Sequence, residues 1–169
     1  NNQAWMISNP EIADMPDYGC HFQFEGVMTA PVSKIYEALT TKRGIQSWWT
    51  ESCDVGSTVG SQITVRFGTT FKLMQIESLQ SDAVVQWQVI DSHLEVPGLI
   101  RTDEWIGTKI NFRLEPESDS ATRVRMEHIG LTPQVECFQL CSAGWSQFLE
   151  SLQSYVETGK GTPYASPAA

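Results

Sequence analysis

The feature that most restricts this chain is one long apolar helical face near its C-terminus. Thr132-Pro133 reads as an N-cap followed by a first helical turn, and Gly159 and Gly161 supply the stop. At about 100° per residue, Val135, Cys137, Phe138, Cys141, Trp145, Phe148, Leu149, Leu152, Tyr155 and Val156 fall within one arc of roughly 160°. Glu136, Ser146, Gln147, Glu150 and Ser154 take the opposite side, with Leu140 and Ala143 as exceptions there. A helix of roughly 25 residues is about 37 Å long, enough to cross a whole sheet. A face that wide must be buried against a comparably wide apolar surface.

The upstream sequence supplies that surface as strands. Residues 21–27, His21-Phe22-Gln23-Phe24-Glu25-Gly26-Val27, alternate polar and apolar side chains, as a half-buried strand does. Two short helices follow. In the first, residues 30–40, Pro31 suits the opening turn, and Val32, Ile35, Tyr36 and Leu39 share one face. The second, residues 43–49, ends in Trp48-Trp49. Further strands are predicted at 62–67, 71–78, 83–91, 105–114 and 122–130, with a short one at 53–58. Gly60-Ser61, Gly68-Thr69, Ser81-Asp82 and the polar run 117–120 punctuate them. Most connections are shorter than the dozen or so residues a parallel crossover needs, so an antiparallel meander is predicted. The exception is residues 93–101, with Pro97-Gly98, a candidate mobile loop. Strand, two helices, about six strands and a long helix make an α+β fold: a curved antiparallel sheet of six to seven strands wrapped around the C-terminal helix. One domain is expected over residues 20–163. It lies between an irregular extension at 1–19, where Asn9-Pro10 and Met15-Pro16 interrupt any helix, and a tail at 164–169.

Charge narrows the function classes. The 169 residues carry 20 acidic and 11 basic side chains, a net charge of −9, and the Lys and Arg residues form no cluster. A nucleic-acid backbone or an anionic membrane surface would be repelled. No apolar run approaches the roughly 18 residues of a membrane span. Residues 1–19 lack the basic and apolar regions of a secretion signal, which predicts a cytoplasmic protein. Cys20, Cys53, Cys137 and Cys141 are too few and scattered for a disulfide framework and are expected to be free, mostly buried thiols.

Alternation nominates the strand residues that face the helix: Ile63, Val65 and Phe67; Met74 and Ile76; Val85, Trp87 and Val89; Ile106, Thr108, Ile110 and Phe112; and Val124, Met126 and His128. With the helix, they predict a cavity lined by Trp48, Trp49, Phe67, Met74, Trp87, Thr108, Phe112, Met126, His128, Cys137, Cys141, Trp145 and Phe148. His128 is the one candidate catalytic side chain, because an inward imidazole can act as a general base near neutral pH. A core histidine held by hydrogen bonds is the competing reading. Cys137 and Cys141 form an inward i, i+4 pair, read as apolar filler or a redox-sensitive feature. No further ligand stands at a metal-binding spacing, so neither metal nor cofactor is expected. Trp48-Trp49 reads as an aromatic wall or as core and cap, and Trp145 as the helix's anchor. Gly144 permits close approach of the backbone to the sheet or to a ligand. Asp103 and Glu104 are adjacent and would face opposite sides, so no two-carboxylate chemistry is supported.

Ala30-Pro31 through Ala38-Leu39-Thr40-Thr41, Gly44-Ile45, Trp48-Trp49, Trp87, Gly144-Trp145, Ser151-Leu152, Tyr155, Thr158-Gly159 and Gly161 together carry a resemblance. Over residues 20–163 the chain resembles the helix-grip superfamily of START-like and pollen-allergen-like proteins, also called SRPBCC. Within it, the chain is similar to the branch related to activators of heat-shock protein 90 ATPase. The resemblance implies an apolar cavity between sheet and helix. The expected function is binding of a small hydrophobic or aromatic ligand, by a monomer or homodimer. One alternative is a cyclase- or lyase-type enzyme using His128, Thr108 and Gln139 in the same cavity. The other is a co-chaperone-like interaction domain with a chaperone partner.

Overall fold

The structure, a computed structural model, describes residues 21–166. Within them the chain forms β1 (Phe22–Met28), α1 (Val32–Thr40), α2 (Lys42–Trp48), β2 (Cys53–Val55), β3 (Gln62–Phe67), β4 (Thr70–Gln80), β5 (Val84–His93), β6 (Lys109–Ser118), β7 (Ala121–Ile129) and α3 (Phe138–Thr158). The strands make one seven-stranded sheet, β1-β7-β6-β5-β4-β3-β2, with every neighbouring pair antiparallel. β2 through β7 form the predicted meander. β1 joins β7 at one edge, and α1 and α2 carry the chain across to β2 at the other. The extension at 1–19 and Cys20 lie outside the described residues.

Strand alternation sets the two faces. On β7, Val124, Met126 and His128 have no exposed surface, whereas Arg123 and Arg125 point outward. Arg123 and Arg125 share Glu25 on β1, at 3.1 and 3.2 Å, and Arg123 also meets Glu117 at 2.7 Å. Such half-exposed pairs add little stability and mainly mark the solvent face. The inward face carries Ile63, Val65, Met74, Ile76, Val85, Trp87, Val89, Ile110 and Phe112, all buried.

The helix pair is locked by a glycine. A Cβ at Gly44 would lie 2.6 Å from both Cα and O of Ala38, so the α1 and α2 backbones can meet only with glycine there. The Thr41 hydroxyl caps α2 by accepting the Gly44 N–H at 3.0 Å, and the Trp48 indole donates to the Ala38 carbonyl at 2.8 Å. Pro31 stands at the N-cap of α1, one place before its expected turn.

Several boundaries differ from the sequence reading, and three of them shape the site. The long helix starts at Phe138, because residues 133–137 form turns. Val135 N–H bonds to the Thr132 carbonyl and Phe138 N–H to that of Val135, and the first helical-span bond is Cys141 N–H to the Cys137 carbonyl at 2.8 Å. The strand expected from residue 105 starts at Lys109. Residues 103–108 turn instead, with Gly107 at φ +88°, which leaves Ile106 47% exposed rather than inward. The connection before β6 therefore spans residues 94–108. Beyond α3, which Gly159 ends at φ +86° as expected, Tyr164 still joins the body, exchanging hydrogen bonds with Trp49 and Glu51.

That long connection is tied to the start of α3. No side chain at the helix's own N-cap satisfies its first N–H groups. The Glu104 carboxylate instead holds the turn that leads into the helix, accepting Glu136 N–H at 2.9 Å and Cys137 N–H at 3.1 Å. In return the Glu136 carboxylate accepts the N–H groups of Ile100 and Arg101. Glu104→Ala should lower the unfolding free energy by about 1 kcal/mol, the cost of carboxylate-to-backbone hydrogen bonds lost beside a helix N-terminus. Urea denaturation checks this, with Glu104→Gln, which keeps an acceptor, losing less.

Candidate functional site

α3, the β3–β4 hairpin and the 94–108 connection enclose a pocket of about 310 Å³, at the small end of the ligand-cavity range. Trp49, Phe67, Trp105, Trp145 and Phe148 supply its aromatic walls, with Leu94, Val96, Leu140 and Cys141 between them. Thr70, Lys72 and Glu95 add polar groups. The rings brace one another. Trp49 lies 5.3 Å from Trp145, 5.8 Å from Trp87 and 5.2 Å from Trp48, centroid to centroid. Trp145 stacks on Trp105 at 6.0 Å, and Phe67 meets Phe148 at 5.7 Å. Each such contact is worth about 1 kcal/mol beyond simple burial, so the wall is preorganised.

Five of the expected cavity residues line this pocket: Trp49, Phe67, Cys141, Trp145 and Phe148. The others do not. Trp48, Met74, Trp87, Phe112, Met126 and Cys137 have no exposed surface and fill the space behind the aromatic wall. The broad cavity expected across the sheet is therefore packed solid by large side chains, and the pocket occupies one end. Leu140, placed on the outer side of the helix from its angle alone, lines the pocket, because the 94–108 connection reaches around to it.

His128 is bound on both ring nitrogens. The Thr108 hydroxyl donates to the Trp105 carbonyl at 2.6 Å, so toward His128 Nε2, 2.8 Å away, it can only accept. The Trp145 indole N–H, which can only donate, lies 2.9 Å from Nδ1. These partners assign the neutral tautomer with the proton on Nε2. Burial, then Lys72 and His21, push the imidazole down to about 3, so it stays neutral. Its one free lone pair is occupied, and neither His128 nor Thr108 lines the pocket. The imidazole sets the orientation of Trp145 and cannot serve as a base there. Gly130, two residues on, is at φ +101°, and a Cβ there would meet Thr108 Cγ2 at 2.7 Å, so glycine keeps room for this network.

The thiols differ from one another. Cys53, Cys137 and Cys141 are free and buried. A hydrogen bond from Cys137 holds the Cys141 thiol below its usual range, opposed by burial. The Trp105 indole, donating to Cys141 Sγ at 3.3 Å, assists that lowering. Cys137 is pushed up correspondingly. Among the described residues, no three His, Cys, Asp or Glu side chains converge for a metal.

Several pocket residues went unnoticed in the sequence, Trp105 and Lys72 the most consequential. Trp105 was placed on a strand facing away, but it sits in the turn before β6. Lys72 is 3% exposed, with Nζ 4.1 Å from the Trp105 ring centroid. Its signal was present: alternation that turns Met74 and Ile76 inward turns Lys72 inward too. Burial lowers the ammonium to about 8, while Cys141 and Cys137 pull it back up.

A seven-stranded antiparallel sheet holding a long C-terminal helix, with an apolar pocket between them, is the helix-grip architecture of START-like proteins. Residues 29–157 match the family described as Activator of Hsp90 ATPase homolog 1-like protein, and the chain belongs to that family. It is similar to the Aha1 dimer of Colwellia psychrerythraea, with 30% identity and a TM-score of 0.70, covering 83% of this chain and 98% of that one. A Mesorhizobium loti protein shares the fold at 21% identity and a TM-score of 0.65, over 79% of this chain and 93% of its own. An HSP90 activator from Plasmodium falciparum shares it at 15% identity and a TM-score of 0.64, over 84% and 98%. No curated protein matches the chain in sequence. Among the described residues, no helix is long and apolar enough to cross a membrane.

Proposed function

We propose that this protein binds a small apolar or aromatic molecule in the pocket between the sheet and α3. The observation that carries this reading is an aromatic-walled cavity of about 310 Å³ left open beside an otherwise filled core. Water displaced from such walls returns about 25 cal/mol per Å² of apolar surface covered. The enzyme alternative needs His128, Thr108 and Gln139 at one wall, and none of the three lines the pocket, so binding without turnover is the reading this geometry favours.

Gly144 provides the test. It lines the pocket, and a Cβ there meets nothing within 4 Å. Gly144→Leu therefore puts bulk into the cavity on a helix that gains from losing a glycine. The neutral fluorophore N-phenyl-1-naphthylamine should brighten on binding the wild-type protein. Its affinity should fall at least about tenfold, or 1.4 kcal/mol, in Gly144→Leu, with circular dichroism unchanged. A wild-type protein that ignores the probe, or a variant that binds it equally well, would overturn the proposal.

A further inference from the structure

We infer that the pocket selects an anionic ligand, an aromatic or alkyl body bearing one carboxylate that pairs with Lys72; this rests on the pocket being a ligand site. Among the described residues, Lys72 is the one Lys, Arg, Asp or Glu that is buried. It takes part in none of the ion pairs these residues form. Burying a cation away from water is costly unless an opposite charge or strong hydrogen bonds replace the solvent. The Trp105 ring face offsets part of that cost. Among the described residues the ammonium makes no hydrogen bond or ion pair, so its donors face a partner entering the pocket that Lys72 lines.

The strand geometry points the same way. Met74 pairs with Val89, so regular pairing would set Lys72 directly opposite Asp91. A bulge intervenes: Ile90 is the extra residue, Leu73 pairs with Asp91, and Lys72 pairs with Ser92. One inserted residue turns the following side chains to the other face. Asp91 is exposed as a result, and Ser92 is buried at 5% exposure with its hydroxyl unpartnered. The bulge thus withholds an internal carboxylate from Lys72 and puts an unused hydroxyl in its place. The ammonium, which lines the pocket, is a donor suited to a carboxylate.

The other groups facing Lys72 supply no settled counter-charge. Cys141 and Cys137 approach from the start of α3 as a hydrogen-bonded pair, with Cys141 lowered to about 7 and Cys137 raised, so the pair carries only a partial charge at pH 7. Glu95, from the 94–108 connection, is 59% exposed at the rim, with its carboxylate 3.6 Å from His93. His128 is neutral in the core.

The test compares 2-naphthoate with its neutral isostere 2-naphthamide, followed by quenching of the pocket tryptophans at pH 7. Wild-type protein should bind the carboxylate at least about tenfold more tightly, as a charge-assisted bond implies. Lys72→Met should remove that preference, bringing the affinities for naphthoate and naphthamide within about twofold of each other. In the wild-type protein alone, naphthoate affinity should weaken as pH rises past about 8, where Lys72 loses its proton, and naphthamide affinity should not. Equal binding of the two compounds, a preference that survives Lys72→Met, or a pH-independent preference overturns the inference and leaves the apolar-ligand reading standing. Failure of naphthoate, naphthamide and N-phenyl-1-naphthylamine alike overturns both.

Discussion

His128→Ala should lower the unfolding free energy by about 4 kcal/mol, measured by equilibrium denaturation. The imidazole has no exposed surface. Removing it opens a hole in the core and orphans the Trp145 indole N–H, which has Nδ1 as its acceptor at 2.9 Å. A stranded buried donor costs about 1–3 kcal/mol, and the lost volume accounts for the rest. His128→Asn places an oxygen near the position of Nδ1 and should recover about half of the loss. A change below about 1 kcal/mol would remove the core role. The network also has a pH signature. The unfolded chain takes up the histidine proton near 6.5, whereas the folded chain does so only at about 3. Between those values the unfolded state holds more protons. The wild-type protein therefore loses about 1.4 kcal/mol per pH unit as pH falls through that window, and His128→Asn lacks this component.

The same histidine shows how far residue patterns reach. Strand alternation put Val124, Met126 and His128 on one inward face, and the structure agrees. Gln62–Phe67 matches its predicted bounds, because a period of two depends only on neighbouring residues. What His128 does there depends on Thr108, Trp105 and Trp145, which come from a strand lead-in, a turn and a helix. No local pattern encodes that meeting. The helix start shifts for a similar reason: Thr132-Pro133 has the composition of a cap, but residues 133–137 are held as turns, in part by Glu104 from the preceding connection. The extent of the cavity was misjudged because facing a helix and lining a void are different conditions. Trp87 and Phe112 face inward and pack edge to face with ring centroids 5.5 Å apart, filling the space between inward-facing positions. The bulge at Ile90 was invisible because the Val85, Trp87, Val89 alternation is regular up to the residue that breaks it.

Lys72→Met should stabilise the protein by about 2 kcal/mol at pH 7, the reverse of what most buried substitutions do. Methionine keeps much of the apolar stem of lysine and sheds the charge that burial penalises. The lost attraction to the Trp105 face, about 1 kcal/mol, keeps the gain modest. The advantage must also depend on pH. The unfolded lysine holds its proton up to about 10.5 and the folded one up to about 8, so between those values the unfolded state binds more protons and wild-type stability rises with pH. Methionine does not titrate. The variant's lead should therefore be largest below pH 8 and shrink by pH 10; tyrosine contributions cancel in the difference, and loss of the attraction between Lys72 and the Cys141–Cys137 pair acts in the same direction. Paired urea denaturations at pH 7 and pH 10 measure it. A variant less stable than the wild type at pH 7 would mean that the fold already satisfies this cation, and a pocket with a satisfied cation has no need of an anionic guest. A more stable variant with weakened naphthoate binding would show the opposite: stability given up in the empty protein for a charge that the ligand completes.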